Sequence, residues 1–218
     1  MTNSFDPTKR KATTGLLVPF VLIGLAFYVT DTTLQATSLE LKDGATITND
    51  GNPFIRLSEF PKNAPDGAEL GKVRIKMLAL DTTGRKAAVV VSGANHDWIG
   101  ILDIRTKKFV QMRVLAESSA ESIAFSHSGT LLAFVVVGGS GLRSVSYWET
   151  DGTGRSTSLA ALLKGDAGRV YELDQPEWAP DDSALKCRVT ERGIVVGSAS
   201  LNLVSQELKT TFTQTLRP

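Results

Sequence analysis

"YELDQPEWAPDDSALKCRV", residues Tyr171 to Val189, joins a lone tryptophan to an Ala-Pro-Asp-Asp corner and then to a β-rich run interrupted by Lys186 and Arg188. Asp181-Asp182 is either a carboxylate pair for acid/base chemistry or the corner of a repeated structural unit. Neighbouring turn residues point in different directions, whereas an acid and a base must converge on one cleft. Pro180 presets φ for a β-turn, and aspartates in such a turn cap its own N–H groups. A structural corner is therefore expected, with Trp178 as a core residue of the strand that enters it.

Two other stretches follow the same plan: "LALDTTGRKAAVVVSG" from Leu78 and "IAFSHSGTLLAFVVVGG" from Ile123. In each, an apolar residue (Leu80, Phe125, Trp178) precedes a four-residue polar corner ending at Gly84, Gly129 or Asp182, and a β-rich strand follows. The corner ends are 45 and 53 residues apart. Each strand leads through a loop into a second one, beginning near Trp98, Arg143 and Gly197. A period of about 45 residues holding roughly four strands is the size of one β-propeller blade.

The corners "WAPDD", "FSHSG" and "LDTTG" resemble the W-S-P-D-G corner of TolB-like, WD40-like (PD40) propeller repeats. The resemblance covers Val73 to Thr211, and the third corner departs from it by lacking the glycine. It implies a mainly β fold, an incomplete or small propeller-like array of about three to four blades. Cys187 falls in the slot held by Val89 and Phe134 in the other repeats, so a buried thiol is expected there.

The first 30 residues read differently. Lys9, Arg10 and Lys11 precede 19 uncharged residues, Ala12 to Thr30, ten of them Leu, Ile, Val or Phe. As a helix this segment spans roughly 28 Å, the thickness of a bilayer's hydrocarbon core. Its apolar residues favour insertion by about 3 to 6 kcal/mol before Pro19 and Gly24 are counted. The basic cluster before the span and Asp31 after it place the N-terminus in the cytoplasm and the rest across the membrane. A cleaved signal peptide shares this template, but small-x-small cleavage sites are poor here. The expected organisation is a cytoplasmic N-terminus (1–11), one transmembrane α-helix (12–30), a linker with a divergent β segment (31–72) and a propeller-like β domain (73–218). Within 31–72, "ATIT" and "FIRL" between Gly and Pro turn signals suggest loosely built strands. Leu159, Leu162 and Leu163 in "STSLAALLKG" share a helical face and predict a short helix over Ser156–Gly165.

Functional classes narrow accordingly. The chain has 218 residues, 42% of them hydrophobic, and a net charge of +1; after Lys11 acids outnumber bases by one, so the basic field needed for nucleic acid is missing. A single cysteine excludes an internal disulfide and paired metal motifs. His96 and His127 are 31 residues apart with no third nitrogen or sulfur ligand at useful spacing, and "GGSGL" does not fit a nucleophile elbow. His127 reads as an exposed turn residue, and His96-Asp97 as a pH-responsive loop pair at most. No catalytic, metal or cofactor residue is assigned, and an enzyme is not expected.

A partial ring leaves unpaired sheet edges, and these predict a partner that covers them: integral membrane proteins of a larger complex, or a second copy. The leading expectation is a non-catalytic, single-pass accessory subunit of the inner membrane, with its β domain in the periplasm, in contact with lipid through residues 12–30 and stabilising a respiratory, photosynthetic or other complex. The alternative is a membrane-tethered ligand-binding sensor module. Trp98, Tyr147 and Trp148 are the aromatic candidates for a partner surface, with the core as their other possible place.

Overall fold

The computed structural model describes residues 38–61, 73–93, 96–150, 152–163 and 169–213. The expected membrane helix over 12–30 lies outside them; among the described residues no helix is long and apolar enough to cross a membrane.

Among the described residues, fifteen strands form four antiparallel sheets. The first holds β1 (Leu39–Lys42), β2 (Thr46–Asn49) and β3 (Asn52–Arg56). The second runs β4 (Arg74–Leu80), β5 (Lys86–Ser92), β6 (Asp97–Asp103) and β7 (Lys108–Leu115). The third follows with β8 (Ser118–Phe125), β9 (Leu131–Gly138), β10 (Arg143–Glu149) and β11 (Ser156–Ser158), and the fourth with β12 (Glu172–Trp178), β13 (Ala184–Glu191), β14 (Ile194–Asn202) and β15 (Glu207–Phe212). Every sheet is an up-and-down meander in chain order.

The repeat read from sequence is reproduced bond for bond. Leu80, Phe125 and Trp178 pair with Ala87, Leu132 and Leu185 across the mouth of each corner. Asp81, Ser126 and Ala179 each donate an N–H to the carbonyl of the first residue of the next strand, Lys86, Leu131 and Ala184, all at 2.9 Å. The corner ends, Gly84, Gly129 and Asp182, all adopt left-handed backbone, with φ of 66°, 69° and 55°. Each first strand also carries a bulge near its start, between Ile75 and Met77, Ala120 and Ser122, and Asp174 and Glu177.

Alternation along single strands shows how the sheets stack. Ala87, Val89 and Val91 pack with Ile47, Ile55 and Trp98 between the first and second sheets. Ala88 and Val90, their neighbours on β5, pack with Leu132, Phe134 and Trp148 between the second and third. Ala133 and Val135 then join Leu173, Leu185 and Cys187 between the third and fourth. Among the described residues, four sheets enclose three apolar layers, as an open stack does. The inner strands of the middle sheets, β5, β6, β9 and β10, are accordingly buried on both flanks, whereas β13 alternates buried Leu185, Cys187 and Val189 with exposed Lys186 and half-buried Arg188.

One expectation is corrected. Ser156–Gly165 is not a helix over its described part: Ser156–Ser158 is strand β11 and Leu159–Leu162 a single 3-10 turn. Leu159 is fully buried against the third and fourth sheets, and one turn suffices to place it there. The first and last strands of every meander are sheet edges, and among the described residues the fourth sheet carries an apolar layer on one flank, with Lys186 and Arg188 on the other.

Candidate functional site

Asp181 and Asp182 do not converge. Asp181 caps its own turn, accepting from Ser183 N at 3.1 Å and Ser183 Oγ at 2.7 Å. Asp182 does something that local capping did not foresee. Its Oδ1 accepts from His127 N at 2.8 Å and its Oδ2 from Ser128 N at 2.7 Å, so it bridges to the corner of the third sheet. Burial pushes the Asp182 carboxyl up, but the bonds from Ser128 and His127 outweigh it and hold the pKa at about 2. Pro180 occupies the position equivalent to His127, and having no N–H it requires no such carboxylate from a following sheet.

Other residues bind neighbouring repeats together. Trp178 Nε1 donates to Ala124 O at 3.0 Å, and Thr82 Oγ1 donates to His127 O at 2.5 Å. Asp81, which sequence reading passed over, is buried and accepts from Arg85 N and Lys86 N, both at 2.9 Å. Its place as the first residue of "DTTG" was the available signal. At the opposite end of the strands, Asp97 Oδ2 accepts from Lys76 Nζ at 3.0 Å and from Ala120 N at 2.9 Å, joining the second sheet to the third.

Asp182 supplies a pH test. A carboxyl whose folded pKa is depressed adds stability above its unfolded value, about 3.9, and that contribution is lost as pH falls toward about 2. Asp182→Asn is expected to flatten urea stability between pH 4 and 2 relative to the parent chain. Asp182→Gly relieves the left-handed backbone yet removes the bridge. It is expected to lower stability at neutral pH by about 1 to 2 kcal/mol, whereas a turn-only role predicts an increase.

The three aromatic candidates take the core place: Trp98 is 0%, Tyr147 6% and Trp148 2% exposed. Tyr147 OH donates to Gln206 Oε1 at 3.0 Å, a bond between the third and fourth sheets. His96-Asp97 is not a loop pair, because Asp97 is the buried first residue of β6 with Lys76 as its partner. His127 is exposed at its corner, as expected, with Nδ1 3.2 Å from Asp182 Oδ1. Cys187 is buried, and burial pushes its thiol up to about 12, far from a reactive thiolate. Among the described residues no three His, Cys, Asp or Glu side chains are grouped to hold a metal ion.

One cleft gathers polar groups from two sheets. About 610 Å³ in volume, it lies between the third and fourth sheets at their bulged first strands. Arg143 clasps Glu121, with Nε at 2.7 Å and Nη2 at 3.3 Å, and its Nη1 is 3.5 Å from Glu172. Arg188 clasps Asp174, with Nε at 2.7 Å and Nη2 at 2.8 Å. Hydrogen bonding to these carboxylates raises both guanidinium pKa values. Ser122 and Thr190 line the cleft as well, and Gln175, at φ 48° in the bulge before Pro176, stands at its rim. Sequence reading missed these residues, which come from repeats about 50 positions apart.

No protein-family model matches the chain, and no curated protein matches it. Solved structures do. A prolyl endopeptidase structure is 10% identical, with 80% of this chain and 29% of that one covered at a TM-score of 0.51. TolB from Acinetobacter baumannii is 14% identical over 77% of this chain and 38% of its own, at 0.47. The β-propeller domain of the Trilobed protease from Pyrococcus furiosus is 14% identical over 67% and 45%, also at 0.47. The chain spans less than half the length of each. At such identities the likeness is one of fold, and the stacked four-stranded meanders are themselves propeller-like.

Proposed function

We propose that this chain is a non-catalytic, single-pass accessory module whose β body docks on a larger membrane protein complex. The observation that carries this reading is the fourth sheet, which among the described residues is covered by an apolar layer on one flank only. The end of that sheet where β13 turns into β14 bears exposed Val170, Ile194, Val195 and Phe212, an apolar fringe beside a polar flank. Such a mixture of apolar anchors and polar surroundings is what non-obligate protein interfaces use. The basic cluster and the apolar run over residues 9–30 support tethering at the inner membrane with the body in the periplasm. A tether makes weak contacts with a membrane neighbour effectively intramolecular.

Extraction of native membranes in mild detergent is expected to release the chain in a particle much larger than its own 23.4 kDa. Its recovery solely as a free monomer from gently solubilised membranes would refute the docking role.

A further inference from the structure

The cleft between the third and fourth sheets keeps hydrogen-bond donors that its own ion pairs do not use. Both oxygens of Asp174 accept from Arg188, and both of Glu121 accept from Arg143. Arg188 uses only Nε and Nη2 in its pair, which leaves Nη1 without a partner among the described residues, on a side chain 36% exposed. Ser122 Oγ is buried with no partner among the described residues. Thr190 lines the same cleft, with its hydroxyl open to solvent and without a hydrogen bond among the described residues. A buried hydroxyl left unpaired is costly, so Ser122 Oγ on the wall of this cleft calls for an explanation. Ile123, Val135 and Pro176 give the same cleft an apolar wall. Its volume, about 610 Å³, lies well within the range typical of ligand sites.

We propose that this cleft binds an extended acidic peptide segment. An acidic side chain pairs with Arg188 Nη1, peptide carbonyls accept from the Ser122 and Thr190 hydroxyls, and an apolar side chain lies on Ile123 and Val135. Guanidinium suits this role because its second edge presents donors in a fixed plane to a carboxylate. The first strands β8 and β12 are the edges of their sheets, so an extended chain can run alongside them. The docking role proposed above supplies the source of the peptide, a segment of the partner, but the site stands on its own geometry.

The test uses the full-length protein in detergent and fluorescein-labelled hexapeptide pools, random except for one position fixed as Glu or as Gln. The Glu pool is expected to bind at least tenfold more tightly in fluorescence anisotropy. Arg188→Gln should bring the two pools within about twofold of each other. Thr190→Val, with an unchanged melting temperature, should weaken the Glu pool about three- to tenfold, and it keeps the test decisive if Arg188→Gln folds poorly. Equal affinity of the pools, indifference to Thr190→Val, or equal binding of acetyl-glutamate amide overturns the proposal. Membrane extraction of Arg188→Gln separates the two claims: a large particle that persists without peptide binding retires the cleft as the docking site, and peptide binding without any particle retires the docking role.

Discussion

Trp98→Ala is expected to lower the stability of the β body by about 3 to 5 kcal/mol, a fall of roughly 10 °C or more in melting temperature. Trp98 has no exposed surface and meets Phe60 and Phe109 edge-on, with ring centroids at 6.2 and 5.5 Å. Gly100 makes room for this group, because a Cβ there would strike the Phe109 ring and lie 2.9 Å from Trp98. The indole Nε1 is buried without a partner among the described residues, so Trp98→Phe keeps most of the packing while removing an unpaired donor. It is expected to cost less than about 1.5 kcal/mol. Thermal melts of the two variants decide between a packing role and a surface role; near-wild-type stability of Trp98→Ala would place the side chain outside the core.

Gly129→Ala is the second large effect, at about 2 to 4 kcal/mol. Gly129 has φ 69°, and a Cβ there would lie 2.8 Å from Asp81 Oδ2 and 3.3 Å from Asp81 Cβ. Asp81 cannot simply retreat, since its other oxygen holds Arg85 N and Lys86 N. Gly141→Ala is the matched control, because Gly141 has φ 80° but nothing within 4 Å of the place its new methyl group would take. It should cost only the backbone term, about 1 to 2 kcal/mol. The difference between the two, read by urea denaturation, measures how tightly the corners of the second and third sheets approach. Equal costs would mean that the corners do not meet.

What could be read from the sequence was whatever is written locally. "AAVVV" in β5 and "LLAFVVV" in β9 are apolar without interruption because each strand is covered on both flanks, and Lys186 and Arg188 break the equivalent run because the fourth sheet, among the described residues, is covered on one. The corners were equally visible, because turn chemistry lies within four residues. What stayed hidden depends on the neighbouring repeat. Asp182 finds its partners 54 and 55 residues earlier in the chain, so nothing next to it distinguishes a bridge from a turn cap. Trp98 and Trp148 sit beside polar residues and resemble surface aromatics until the adjacent sheet covers them. His96 and Asp97 are adjacent in sequence, yet a strand start turns Asp97 toward Lys76 on β4. The cleft was illegible for the same reason: its two arginine pairs come from separate repeats, each with its own carboxylate.

Most depends on the stack ending in a sheet with one open flank. Ser198 is exposed in the middle of β14, next to buried Ala199, which makes it a probe of that flank. Maleimide labelling of Ser198→Cys in a Cys187→Ser background, on the purified protein, is the direct measurement. Modification at nearly the rate of a free thiol is the predicted result, against negligible modification of native Cys187. Protection of Ser198→Cys comparable to that of Cys187 would mean that another sheet covers the flank, and the stack would not be open.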